Sequence, residues 1–310
     1  MFKSRRSLLF LSFVLFLSAG CTAKKAPSSL TEADQKFVHT LQKELNLNAV
    51  LKTYPHTTWI YIPVPFDLFK IELTDKGPET SGEAKTAPSL RFLKVHFKKK
   101  DLDISYDEGP QKTYVKTYGY QNSYSDAYHQ AQRVALSAVT RAYADLPRRE
   151  APDFFVLVFA NTRSGLSTQT LFYLPDLIRA HTDQTFSEEF VKRMIQDPPQ
   201  GNKQTIGDTT GEHLKTHEIT WPEFIARQIQ YRIEFNYTRS IFPPSKNTRE
   251  ELLNIVHTVC LFYNFKGVHA VLLHDLNQKK TEQIPFADIE QEIGKKNISG
   301  GQVHVITFGK

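Results

Sequence analysis

A continuous apolar run near the middle of the chain constrains the fold more than any other feature. Residues 154–159 read Phe-Phe-Val-Leu-Val-Phe and lie between Pro152 and Asn161. An uninterrupted run of this kind is typical of a strand that is buried on both faces of its sheet. The preceding segment, 125–145, has alanine at positions 131, 135, 138 and 142. This spacing predicts a helix whose small side chains allow close approach to that sheet.

The order helix, strand, strand occurs twice along the chain. In the first unit, the helix and the apolar strand described above are followed by a returning strand at 170–173. In the second unit, Thr248 and Glu251 have the spacing of a capping box at the start of a helix. Strands then follow at 268–273 and through Ile284. We therefore expect two helix-strand-strand units packed into one structure.

The region before these units, 32–120, also predicts both helix and strand. Thr31 can cap a helix that begins at Glu32. The strict alternation of Leu102, Ile104 and Tyr106 with polar residues predicts a strand with one wet face. Further strands are expected at 59–64, 92–97, 114–118 and 303–308, a hairpin tip at 98–100 and a surface loop at 75–89. With the C-terminal region, 121–310, the predicted class is α+β, with antiparallel or mixed sheets and packed helices.

The first residues of the chain have the order of a secretory signal. Lys3, Arg5 and Arg6 precede an almost wholly apolar run from Leu8 to Leu17. A helix needs roughly 20 apolar residues to cross a bilayer, so this run is too short to remain as a permanent span. We interpret residues 1–20 as a signal peptide that is removed.

The residues that follow resemble a known processing site. Leu17-Ser18-Ala19-Gly20-Cys21 resembles the lipobox of bacterial lipoproteins. The resemblance implies cleavage before Cys21 and a diacylglycerol on its sulfur, with residues 21–31 as lipidated cysteine and tether. It also implies an extracytoplasmic location, anchored in the outer membrane and facing the periplasm, because Thr22 rather than Asp follows the cysteine. Two or three acyl chains hold a protein on a membrane essentially permanently.

Processing changes the composition of the mature chain. Removal of residues 1–20 takes away three basic residues, which lowers the formal net charge of +6 to +3. A charge this mild argues against a nucleic-acid partner. The chain has two cysteines, so lipid on Cys21 leaves Cys260 without a disulfide partner, and Cys260 is expected to be a small buried hydrophobe. The expected partners are the membrane and an envelope protein, and no cofactor is predicted.

A polar stretch from Asp197 to Gly211 is the first place to look for a site, because long irregular segments are often functional. Shortly after it, His213 and His217 are four residues apart. On a helix, both imidazoles would share a face, and Glu218 or Asp208 could complete a metal site. Leu214 follows His213, so the zinc-protease HExxH pattern is absent. The alternative interpretation is that these are exposed loop histidines.

His269 and His274 form a second polar cluster with Asp275. Their spacing on a strand places the two imidazoles on opposite faces of the sheet. They are therefore expected to be surface and strand-end residues.

Three functions remain compatible with the sequence. The favoured one is a lipid-anchored, non-catalytic binding or assembly component of the cell envelope. The first alternative is a metal-dependent envelope hydrolase that uses the histidines at 213 and 217. The second is an oligomeric assembly factor for secretion or surface structures. Nucleophile-elbow and phosphate-loop motifs are absent from the sequence.

Overall fold

A computed structural model describes residues 30–73, 88–110, 120–182, 187–238 and 247–299. The helices are α1 (Glu32–Leu45), α2 (Asp126–Tyr143), α3 (Leu174–His181), α4 (Ser187–Arg193), α5 (Trp221–Thr238), α6 (Thr248–Phe262) and α7 (Phe286–Ser299). The strands are β1 (Val50–Thr53), β2 (Thr57–Val64), β3 (Phe69–Leu73), β4 (Pro88–Lys98), β5 (Asp101–Pro110), β6 (Tyr120–Tyr124), β7 (Phe154–Asn161), β8 (Leu166–Tyr173), β9 (Ile195–Gln196), β10 (Gln200–Gly201), β11 (Ala270–Asp275) and β12 (Lys280–Pro285).

The protein is α+β, as the sequence predicts. The signal segment, Cys21, most of the loop predicted at 75–89, and the strands predicted at 114–118 and 303–308 lie outside the described residues. Both helix-strand-strand units are present, as α2–β7–β8 and α6–β11–β12, and each is followed by a further helix. Within the described part of the chain, no helix is long and apolar enough to span a membrane.

Sheet A is built around the apolar run found in the sequence. Its order is β1-β2-β7-β8, with the short strands β10 and β9 paired to β8. β7 is parallel to β2 and antiparallel to β8. Every residue of β7 is buried, which confirms a strand covered on both faces.

Sheet A thus places two hairpins, β1–β2 and β7–β8, side by side, and sheet B is built in the same way. Its order is β4-β5-β11-β12, in which β5 and β11 are parallel and the outer pairs are antiparallel. Each sheet therefore joins an early hairpin to a late one through a parallel central pair. Both sheets combine strands from residues 32–120 with strands from 121–310. A separate two-stranded ribbon pairs β3 with β6.

Two hydrophobic cores flank sheet A. Ile60 and Ile62 of β2 face α1 and α2, whose alanine row is buried as predicted. Trp59 and Tyr61, on the other face of β2, belong to a core shared with α5, α6 and the inner face of sheet B. In that core, Phe224 of α5 lies with its ring 4.8 Å from that of Phe154 in sheet A. Helix α5 also contacts sheet B, where its Gln230 side chain accepts a hydrogen bond from Val95 N at 3.2 Å.

The predicted starts of α1 and α2 agree with the structure, whereas the cap predicted for α6 does not. Thr31 and Asp34 form a capping box at α1, and Ser125 caps α2. At α6 the predicted cap was wrong by one residue, because Asn247 accepts the hydrogen bond from Glu250 N. Thr248 instead donates to Glu108 Oε1 of β5 at 2.6 Å, which ties the helix start to sheet B.

Candidate functional site

The polar stretch singled out in the sequence continues as a covering segment, residues 202–219, which lies across the β1–β2 hairpin. Long side chains on the hairpin donate to its backbone carbonyls. Tyr61 Oη bonds to Asp208 O at 2.8 Å, Trp59 Nε1 to His217 O at 2.7 Å and Tyr54 Oη to Thr216 O at 2.8 Å; Lys52 Nζ bonds to Gly211 O at 3.0 Å. Apart from a short 3-10 helix at Lys203–Thr205, the segment has no regular secondary structure, and it is hydrogen-bonded to the hairpin beneath it.

Gly211 shows how closely this segment approaches the sheet. Its φ is +66°, and a Cβ at this position would lie 2.7 Å from Cγ of Tyr61. Only glycine accommodates both the left-handed backbone and the close contact with the ring. The glycine therefore serves packing of the covering segment.

Inside the segment, Asp208 organises a chain of hydrogen bonds. Its Oδ2 bonds to His213 Nδ1, and His213 Nε2 lies 3.2 Å from Thr205 Oγ1. Its Oδ1 accepts from the backbone N–H groups of Thr210 and Gly211 at 2.7 and 3.0 Å. Partial burial raises the pKa of Asp208, but these hydrogen bonds outweigh it and lower that pKa to about 2.

The order Thr205, His213, Asp208 has the geometry of a nucleophile, a base and an orienting acid. However, Thr205 is 0% exposed and the His213 side chain is 8% exposed. A nucleophile must reach the reacting atom of its substrate, and a wholly buried hydroxyl has no such access. The chain of hydrogen bonds therefore stabilises the covering segment.

The proposed metal ligands are not brought together as a group. Asp208 and His213 are in contact, but His217 Nε2 bonds to Glu223 at 3.0 Å, and Glu218 accepts from His56 N at 3.2 Å. Residues 214–220 are not helical, so the two imidazoles do not share a helix face. Within the described ranges, no three His, Cys, Asp or Glu side chains are placed to hold a metal ion. His217 is exposed, whereas His213 is buried against Tyr61.

The outer face of sheet B carries a different polar cluster. β5 alternates buried Leu102, Ile104 and Tyr106 with partly exposed Asp103 and Ser105, as predicted for a strand with one wet face. The pairing registers bring side chains from all four strands into one open cavity of about 490 Å³. This sheet B cavity is lined by Lys94, His96, Asp103, Ser105, His274, Asp275, Leu276, Lys279, Lys280 and Thr281.

Both carboxylates of the sheet B cavity are occupied by neighbours. Asp103 Oδ1 lies 3.3 Å from His274 Nε2, while the other imidazole nitrogen of His274 lies 3.0 Å from Thr281 Oγ1. Asp275 Oδ1 accepts from Gln278 N at 2.9 Å within the β11–β12 turn. Asp103 thus orients His274, and Asp275 stabilises the β11–β12 turn.

The cationic side chains of the cavity are placed differently. Among the described residues, no carboxylate oxygen lies within 4.0 Å of the ammonium groups of Lys94, Lys279 or Lys280. His96 Nδ1 is buried, and no hydrogen-bond partner for it lies among the described residues. Lys280 does act at longer range on Glu282, whose pKa is lowered by Arg249 and, to a smaller extent, by Lys280. The cavity therefore presents the positive charge of Lys94 and Lys279 without a carboxylate partner among the described residues.

A second charged cavity, of about 450 Å³, lies near the start of α6. Here Arg249 binds Glu282 through two hydrogen bonds of 2.9 and 2.8 Å. Because Arg249 and Glu282 are paired with each other, this cavity is less suited than the sheet B cavity to bind a charged ligand.

The most deeply buried charges form an ionic network between helices. Arg193 and Asp176, whose side chains are 4% and 1% exposed, are joined at 2.9 Å. Tyr263 Oη donates to Asp176 Oδ2 at 2.8 Å, and Arg193 also binds Glu189 at 2.9 Å. Burial alone would raise the pKa of Glu189, but Arg232 and Arg193 hold that pKa below its usual range. This network joins α3, α4, α5 and α6.

The stretch that the sequence singled out, Asp197 to Gly211, overlaps the covering segment, but the sequence did not predict the sheet B cavity. His274 and Asp275 were predicted as surface and strand-end residues, which is where they lie. The alternation in β4 and β5 could have placed Lys94, His96 and Asp103 on one wet face. Their approach to His274 depends on the parallel pairing of β5 with β11, for which the sequence contains no local signal.

Comparison with protein-family models, with curated proteins and with solved structures finds no match for this chain.

Proposed function

We propose that the protein is a lipid-anchored component of the bacterial cell envelope that binds a partner and catalyses no reaction. In this proposal, Cys21 carries the lipid, the anchor lies in the outer membrane, and the folded part faces the periplasm. The observation that carries the proposal is Ala19-Gly20-Cys21 after a basic and then apolar start. That order of residues is typical of a secretory signal.

The arrangement of polar groups supports a binding role over a catalytic one. Of the triad-like residues, Thr205 is fully buried and the side chains of His213 and Asp208 are 8% and 13% exposed; their polar atoms are used to hold the covering segment. In contrast, the sheet B cavity is open and carries lysines without carboxylate partners among the described residues. We therefore assign the binding surface to the outer face of sheet B.

Labelling with radioactive palmitate in cells tests the anchor. The chain has two cysteines, so Cys21→Ser and Cys260→Ser form a matched pair of variants. We expect the wild-type protein and Cys260→Ser to carry label and to sediment with membranes. Cys21→Ser should lose both properties.

Label that persists in Cys21→Ser, or that fails to appear in the wild-type protein, would refute the proposed anchor. Cys260 is buried and its burial raises the pKa of the thiol to about 12. It therefore has little thiolate to compete for modification, which makes it a suitable control.

A further inference from the structure

We infer that the sheet B cavity binds a phosphate group. This deepens the binding role proposed above and rests on it only for the source of the ligand, since the cavity itself needs no anchor. The phosphate could be free in solution or carried by a lipid headgroup. Both sources present the same tetrahedral, multiply charged group to the protein.

The charges of the cavity select an anion. Three ammonium groups, on Lys94, Lys279 and Lys280, line it together with two carboxylates. The carboxylates are engaged by His274 and by the backbone of the β11–β12 turn. The lysines have no such partner within 4.0 Å among the described residues. A ligand that supplies negative charge would therefore pair with Lys94 and Lys279, which have no carboxylate partner among the described residues, and with Lys280, which otherwise acts only at longer range on Glu282.

The spacing of the donors favours phosphate over a smaller or planar anion. Lys94 is on β4, while Lys279 and Lys280 lie at the end of the β11–β12 turn, so the ammonium groups approach from two sides. Ser105 and Thr281 add hydroxyl groups to the lining, each of which also contacts a neighbouring side chain, Asp103 and His274 respectively. A phosphate has oxygens directed to several sides, and lysine is a common phosphate ligand.

One exposed apolar residue lines the same cavity, and a second lies on the same face of the sheet. Leu276, which is 48% exposed, lines the cavity, and Phe92, which is 45% exposed, precedes Lys94 by two residues on the same face of β4. Lysines beside exposed apolar side chains are typical of surfaces that meet a membrane interface. This arrangement is compatible with a phosphate that belongs to a lipid.

Titration calorimetry on the purified full-length protein tests the inference. The protein is held in an uncharged, phosphate-free detergent. One arm adds inorganic phosphate, and the other adds short-chain phosphatidylglycerol, with diacylglycerol as its phosphate-free counterpart. We expect saturable binding at one site to at least one phosphate-bearing probe, weakened by added salt because exposed charges are screened. Binding of inorganic phosphate supports a free anion, and binding of phosphatidylglycerol alone supports a headgroup.

Matched charge variants locate the site. Lys94→Glu with Lys280→Glu should weaken binding by about tenfold or more, because two attractive charges become repulsive. Lys98→Glu with Lys100→Glu changes the net charge equally at the β4–β5 hairpin tip, outside the cavity. This control should alter the affinity by less than about twofold. The milder pair Lys94→Gln and Lys280→Gln should weaken binding in the same direction and guards against misfolding of the first variant.

The inference would be overturned by equal losses in the cavity and control variants, or by saturable binding of neither phosphate probe. It would also be overturned by equal binding of diacylglycerol and phosphatidylglycerol with no binding of inorganic phosphate. Absence of phosphate binding by a protein whose Cys21 takes up palmitate would refute this inference alone. Phosphate binding by a protein whose Cys21 takes up no palmitate would instead refute the anchor alone.

Discussion

Asp208 is the residue whose charge matters most to the covering segment. It accepts hydrogen bonds from the backbone of Thr210 and Gly211 and binds His213. Hydrogen bonds to a charged group typically contribute about 1.5–3 kcal/mol each, although their effects do not add. We expect Asp208→Ala to lower the free energy of unfolding by about 2–3 kcal/mol in urea titrations at neutral pH. An unchanged unfolding midpoint would show that the segment is held by the hairpin alone.

The same carboxylate predicts a pH dependence. The pKa of Asp208 is about 2 in the folded protein, below the value of about 3.9 for an unperturbed aspartate. The folded state therefore favours the charged form. The resulting stabilisation is present above about pH 4 and is lost as the pH falls towards 2. Urea titrations from pH 5 to pH 2 should show a shallower loss of stability in Asp208→Asn than in the wild-type protein; parallel curves would contradict this origin.

For single residues, prediction from the sequence was most accurate where a side chain bonds to residues close to it in the chain. Thr31 and Ser125 lie at the helix starts where spacing predicted them. At α6, Asn247 took the role assigned to Thr248, because the hydroxyl of Thr248 is engaged by Glu108 from a distant strand. Contacts of this kind depend on the tertiary fold and leave no local pattern.

At the scale of elements, the buried ionic network is the most sensitive junction between helices. Removing one partner of a buried pair leaves an uncompensated charge, which typically costs about 3–5 kcal/mol. We expect Arg193→Met to destabilise the protein by the lower end of this range, about 3 kcal/mol, because Asp176 and Glu189 lose their shared cation but keep Arg179 and Arg232 as partners. Thermal and urea unfolding measure the change.

Arg91→Met is the matched control for this prediction. Arg91 pairs with Asp107 at a similar distance of 2.8 Å, but its side chain is exposed at the surface of sheet B. Exposed pairs contribute at most about 1 kcal/mol. Equal destabilisation by the two variants would show that burial of the Arg193 pair has no special effect.

Individual strands were easier to predict than their partners. The continuous run in β7 and the strict alternation in β5 identified a doubly covered strand and a strand with one wet face. The parallel pairs β2–β7 and β5–β11 join residues far apart in the chain. Periodicity reports which face of a strand is buried, but it does not report which strand lies beside it.

For the molecule as a whole, the interleaved hairpins predict cooperative unfolding. Each sheet needs a hairpin from residues 32–120 and one from 121–310, and one core joins both sheets. Loss of either sheet would expose that shared core. We expect hydrogen exchange of backbone amides in β7 of sheet A and β5 of sheet B to report the same free energy of global opening. Separate transitions for the two sheets would contradict this prediction.

We propose that lipid on Cys21 holds this domain at the cell envelope. Mass spectrometry of the mature protein extracted from membranes tests it most directly. We predict an N-terminal peptide that begins at Cys21 and carries the mass of a diacylglycerol on its sulfur. A mature peptide that continues upstream of Cys21, or one with an unmodified thiol at that position, would contradict the claim.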